Sequence, residues 1–276
     1  MQRGVSGNSL HPRGRPGLLR RWLPGSLVVP AVAIGIALLA AGCEGSRDGG
    51  RDGQRNEATA RDAKPGEPPP AGPAAEGKTV PLVLNLPRPC FIGTPFNIST
   101  ANLGPPRSGR PPDLPVPAGV VNVALGKPVT AGDRSPLLGQ LSQVTDGDKE
   151  GMEGSYVEIG PGKQYFQVDL QRLHEIFAIV VWHYHAQPRA YHDVVVQVGG
   201  EGDFIDAVRT VYNNDHDNSL GLGIGQDKEY LDTHEGLLID ARGARARYVR
   251  LYGNGNTESD LNHCTEIEVY GRRPVE

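Results

Sequence analysis

Cysteine, methionine and tryptophan are scarce in this 276-residue chain, which has three, two and two of them. So few cysteines exclude a disulfide-dense scaffold and any cysteine-rich zinc module. Charge of one sign is also lacking. The formal net charge of -4 gives no electrostatic footprint for nucleic acid. There is no Gly-x-Ser-x-Gly elbow, no His-Glu-x-x-His and no Gly-Lys-Ser/Thr of a phosphate-binding loop. The glycines of Gly221-Leu222-Gly223-Ile224-Gly225 lack the final spaced glycine, a following helix and a βα context, so a dinucleotide fingerprint is excluded. The apolar run 27–41 is too short and too rich in glycine and alanine for a transmembrane span.

What is present divides the chain. A basic region with Arg13, Arg15, Arg20 and Arg21 precedes that apolar run, the pattern of an export signal. It ends Leu38-Leu39-Ala40-Ala41-Gly42-Cys43, which resembles a bacterial lipobox. Residues 1–43 are therefore expected to be a lipoprotein-type signal segment, with Cys43 lipidated. The protein would be an exported lipoprotein of the bacterial cell envelope, touching the membrane only through that anchor. Residues 44–79 hold almost no large apolar side chain and are expected to be a disordered linker. The Pro-rich segment 80–118 excludes long helices and central strands and reads as an extended arm wrapping the domain. In an oxidising compartment the remaining pair, Cys90 and Cys264, invites a disulfide, with two separate thiols as the alternative.

From residue 119 onward, short β-rich runs separated by turn residues predict strands at 164–170, 176–184, 193–198, 208–213, 236–239, 247–252 and 265–270. No comparable amphipathic helix intervenes, so the fold class is all-β, a sandwich or barrel. The stretch Ala246-Arg247-Tyr248-Val249-Arg250-Leu251-Tyr252 and the later Glu266-Ile267-Glu268-Val269-Tyr270 read as the closing strands, with the Gly253-Asn254-Gly255-Asn256 cluster as turn chemistry between them.

The segments Asn122-Val123-Ala124-Leu125-Gly126-Lys127-Pro128-Val129-Thr130, Val144-Thr145-Asp146-Gly147-Asp148, Phe166-Gln167-Val168-Asp169-Leu170, Ile179-Val180-Val181-Trp182 and Arg247-Tyr248-Val249-Arg250-Leu251, with the last strand, occur in the order of a known family. Residues 119–272 resemble the discoidin domain, whose relatives include coagulation-factor type C domains, family 32 carbohydrate-binding modules and fucose-binding lectins. The resemblance implies a galactose-binding-like jelly-roll β-sandwich. It also implies a structural calcium ion, with carboxylates from Asp146 and Glu266 and oxygens from Asp148 and Gln143. Ser155 is a loose counterpart of a further ligand. Asp146-Gly147-Asp148 does not open an EF-hand: position twelve is Val157 and the flanks are not helical.

Candidate ligand residues cluster after the strand ending near Trp182. Strand alternation would put His183 and His185 on one face and Trp182 and Tyr184 on the other. With Arg189, Tyr191 and His192 they form a polar, aromatic-edged patch suited to sugar, and the loop carrying Asn254 and Asn256 adds to it. The expected function is an extracytoplasmic binding module for carbohydrate or another extracellular ligand, without enzymatic activity. Two alternatives stand beside it. His183, His185, His192 and Asp193 could hold a metal in a hydrolase, or the sandwich could dock a protein partner in the envelope. Arg242, Arg245, Arg247 and Arg250 form a basic run, read as a salt-bridged strand edge before an anion site.

Overall fold

A computed structural model describes residues 78–91, 97–107 and 112–275. The expected signal segment with Cys43, and the expected linker as far as residue 77, lie outside the described residues. The described strands are β1 (Thr79–Pro81), β2 (Pro115–Pro117), β3 (Val121–Asn122), β4 (Val129–Ala131), β5 (Val157–Pro161), β6 (Gln164–Trp182), β7 (Val195–Gly199), β8 (Arg209–Asn213), β9 (Leu237–Gly253), β10 (Leu261–Cys264) and β11 (Glu266–Arg272). A single 3-10 turn at Leu141–Thr145 is the helical element among them.

Two long strands organise everything else. β6 and β9 pair antiparallel along their length, and register shifts interrupt the ladder between Asp169 and His174 and between Ile176 and Ala178. Within these shifts, Gln171 on β6 and Arg242 and Gly243 on β9 take positive φ (67°, 53° and 68°). The bulges fold both strands over. A straight strand the length of β6 would span about 60 Å, yet Gln164 near its start and His183 just past its end line the same small cavity. The early half of β6 and late half of β9 form one layer with β4, β7 and β8. The late half of β6 and early half of β9 form the other with β11 and β3.

Alternation on each layer supplies one shared core. Phe166, Val168, Val196, Val249 and Leu251 come from the first layer, and Ile179, Val181, Ile239, Ile267 and Val269 from the second. All are at most 4% exposed, which is why the runs that looked like strands in sequence are strands. The result is an all-β antiparallel sandwich. At the bend, Arg247 donates to both oxygens of Asp169 from Nε and Nη2, each at 2.8 Å. Arg245 and Arg272 both pair with Glu175, so most of the expected basic run is a salt-bridged edge. Arg250 alone departs from it.

The arm leans on the domain at several points. Leu103 bridges Glu229, and Arg107 donates to the Gly236 carbonyl at 2.5 Å while lying 4.6 Å above the Tyr230 ring; within the arm itself, β1 pairs with β2. Cys90 and Cys264 are not joined; both are free thiols. Cys264 is fully buried in the core cluster, whereas Cys90 sits on the exposed arm against Glu150 and His185. A buried strand residue and an arm residue outside that core do not meet.

Candidate functional site

β6 ends at Trp182, where the Trp182 carbonyl accepts the Thr265 amide at 2.8 Å and the indole Nε1 donates to the His234 carbonyl at 2.9 Å. Strand alternation stops there, and the two neighbouring histidines go different ways. His183 is 3% exposed and stacks on Tyr191 at 4.1 Å and 16°. Its Nδ1 lies 3.1 Å from Asp232 Oδ2 and 3.3 Å from the Tyr230 hydroxyl. His185 is fully buried, with Nε2 donating to the Lys149 carbonyl at 2.9 Å and its ring seated against Gly151, where a Cβ would come within 2.6 Å. Burial pushes the His185 pKa down. His183, His185 and Tyr191 are thus interior residues, and the surface patch expected from them does not form as drawn.

The remaining candidates also find local work. The Tyr191 hydroxyl meets His263 Nδ1 at 3.0 Å, and His263 Nε2 donates to Glu158 at 2.9 Å. His192 pairs with Glu229 at 3.2 Å, and that hydrogen bond raises its pKa. Asn254 donates to Asp193 at 2.9 Å. Asn256 closes its own loop, accepting the Glu258 amide and donating to the Leu261 carbonyl. His183, His185 and His192 do not gather with Asp193 into a metal centre. Among the described residues, the one group of three metal-type side chains whose ligand atoms converge is Asp193, Asp215 and Asp217. Its oxygens already accept from Ser219, Leu220 and Asn254, which is turn chemistry.

What stays accessible at this strand end is smaller. Tyr184 and Tyr156 are half-buried, their rings 4.6 Å apart and tilted by 57°. The Arg189 guanidinium lies 4.6 Å above the Tyr184 ring. Arg189 is held by its backbone, whose carbonyl accepts the Asp232 amide at 3.0 Å. Its Nη2 donates to Gln187 at 3.3 Å, but its Nε is buried with no partner among the described residues. A fixed cation with an unspent donor beside a pair of aromatic rings is chemistry for hydroxyls and C–H faces. Tyr156 was not singled out in the sequence. Its one signal is an aromatic residue in the glycine-rich loop before β5.

The residues implied for calcium differ in their surroundings. Glu266, opening β11, is fully buried; its Oε2 accepts the Gly147 amide at 3.1 Å, and its Oε1 has no partner among the described residues. Burial, followed by the charges of Glu268 and Asp146, raises its pKa to about 9, against the opposing Gly147 hydrogen bond and the Lys149 charge. An orphaned carboxylate oxygen with Asp146 close enough to feel it suits a hard cation. The side chains of Gln143 and Asp148 do not fit that role. Gln143 closes a capping box with Gln140 and donates to the Gly154 carbonyl at 2.6 Å. Asp148 is exposed and accepts from Ser155 at 2.8 Å and from the Glu150 amide at 3.1 Å. Only their backbone carbonyls remain as ligands.

No protein-family model matches this chain. No curated protein matches it. Among solved structures it is similar to a fucose-binding module of Streptococcus pneumoniae, at 16% identity, covering 55% of this chain and 99% of that one, with a TM-score of 0.40. It is also similar to chitosan-binding module 1 from a chitosanase/glucanase of Paenibacillus sp. IK-5, at 21% identity, 55% and 99% coverage and a TM-score of 0.38. A third is a CBM32 module of Clostridium perfringens in complex with GlcNAc-α-1,4-galactose, at 16% identity, 56% and 96% coverage and a TM-score of 0.39.

Proposed function

We propose that this chain is a carbohydrate-binding module whose sugar surface is the strand end formed by Tyr184, Tyr156 and Arg189. The observation that carries it is the unpartnered Nε of Arg189, buried beside the Tyr184 ring. A buried donor without an acceptor costs free energy, on the order of 1–3 kcal/mol. A sugar hydroxyl at that position would recover it, while the Tyr156–Tyr184 pair would take the apolar face of the ring. The inward-facing His183 and His185 favour a binding module over a metal-dependent hydrolase. Cys43 would carry the lipid that holds the module at a membrane, and Glu266 with Asp146 would hold a structural calcium ion.

The testing experiment is a glycan array probed with the purified protein, with and without calcium. Saturable binding to defined glycans, lost in Tyr184→Ala and Arg189→Ala, supports the proposal. An array without signal, or one unchanged by both substitutions, counts against it.

A further inference from the structure

A second cleft lies on the outer face of the layer that contains β4, β7 and β8. Thr130 pairs with Gln167 and Gln167 with Arg250, so the three form one row across β4, β6 and β9. Their neighbours Phe166, Val168, Val249 and Leu251 are in the core, so the row faces outward. With Tyr165, Arg134 and Gly202, the row lines a cleft of about 300 Å³. Small-ligand sites begin at about this size.

The charges in the cleft are unbalanced. Arg250 is only 9% exposed, its guanidinium held between the rings of Tyr165 at 4.4 Å and Phe204 at 4.1 Å. Its Nε donates to Gln167 Oε1 at 2.7 Å, Nη1 to the Tyr252 hydroxyl at 2.9 Å and Nη2 to the Gly202 carbonyl at 2.9 Å. Every one of these acceptors is neutral. Among the described residues, neither Arg250 nor Arg134 takes part in an ion pair. Among the described residues, no carboxylate lines the cleft. Buried cations are ordinarily paired, and a guanidinium has five N–H groups, so Nη1 keeps one N–H beyond its bond to Tyr252.

We propose that this cleft binds a carboxylated sugar, a hexuronic acid, with its carboxylate between Arg134 and Arg250. The Tyr165 ring offers a face for the sugar C–H groups, and the Thr130 hydroxyl lies along the rim to meet ring hydroxyls. The chain as a whole carries a net charge of -4, so two unpaired arginines in one cleft are selective for an anion rather than a consequence of overall charge. The cleft shares no residue with Tyr184 and Arg189, so it stands or falls separately from the strand-end site.

The test is calorimetric titration of the full chain with galacturonate, galactose and inorganic phosphate. Arg134 is the residue to replace, because it is exposed and its loss removes no core packing. Galacturonate is expected to bind saturably, more weakly as salt is added, and at least about tenfold more weakly in Arg134→Ala. The proposal is overturned if galacturonate does not bind, if Arg134→Ala binds it as the parent does, or if phosphate binds as tightly as galacturonate.

Discussion

The buried carboxylate of Glu266 accepts the backbone amide of Gly147 at 3.1 Å through Oε2, while Oε1 meets no donor among the described residues. Its pKa, raised to about 9, means that without a cation the fold holds this group protonated near neutrality. The sign follows from linkage. The folded pKa is above the unfolded value of 4.5, so the group's contribution is intact below that value and is lost as pH rises toward 9. Calcium would reverse the preference by binding the ionised form. The expected outcome is that calcium raises the melting temperature of the parent protein at pH 8 and leaves Glu266→Gln unmoved. Without calcium, Glu266→Gln should be at least as stable as the parent at that pH. Equal calcium stabilisation of both proteins, followed by thermal denaturation, would remove Glu266 from the site.

Acid should weaken the domain through its buried histidines. Burial lowers the pKa values of His174, His185 and His263 below 6.5. For these three the unfolded chain takes up protons first, so stability present above pH 6.5 is lost as pH falls. His192 works in the other direction: its bond to Glu229 raises its pKa, and its contribution is complete below 6.5 and lost as pH rises through the folded value. Three groups oppose one. In the Glu266→Gln variant, which removes the buried carboxylate whose contribution runs the other way, melting temperature measured by calorimetry should fall between pH 7 and pH 5.5; an unchanged or rising value would contradict this assignment.

Gly236 precedes β9 with φ of +66°, and a Cβ there would lie 2.7 Å from Cε2 of the buried Trp182 ring. Gly236→Ala combines an unfavourable backbone with an overpacked tryptophan, and is expected to cost about 1–3 kcal/mol in chemical denaturation. A cost below a few tenths would mean that the Trp182 pocket is looser than its contacts indicate.

The two domain cysteines should behave differently toward a thiol reagent. Burial raises the Cys264 thiol pKa well above its usual value, and Cys90 is exposed on the arm. Peptide mapping after alkylation should find Cys90 modified in the native protein and Cys264 only after denaturation. A disulfide-linked peptide joining the two would contradict the free thiols.

The fold was more legible than the site. The β-branched and aromatic runs at 164–170 and 176–184 were readable because they bury on alternate positions, but the sequence separates them where the structure carries one strand through a bulge. Strands of two to five residues, β3, β4, β5 and β10, are too short for periodicity to stand out. At the site, alternation carried past Trp182 drew attention to His183 and His185, whose polarity is spent inside the protein on Asp232 and the Lys149 carbonyl. Tyr156 showed only as an aromatic residue in a glycine-rich loop, and Arg250 only as one member of a basic run read as a salt-bridged edge. Their roles depend on rings and cations brought together from distant segments, which spacing along one chain does not encode.

Titration of the strongest array glycan into the parent protein, Arg189→Gln and Arg134→Ala addresses the sugar-binding claim most directly. Arg189→Gln loses the donor beside Tyr184, so a neutral glycan should bind it at least about tenfold more weakly, while Arg134→Ala should bind as the parent does. Equal affinity of the parent and Arg189→Gln would contradict a sugar site at the end of β6.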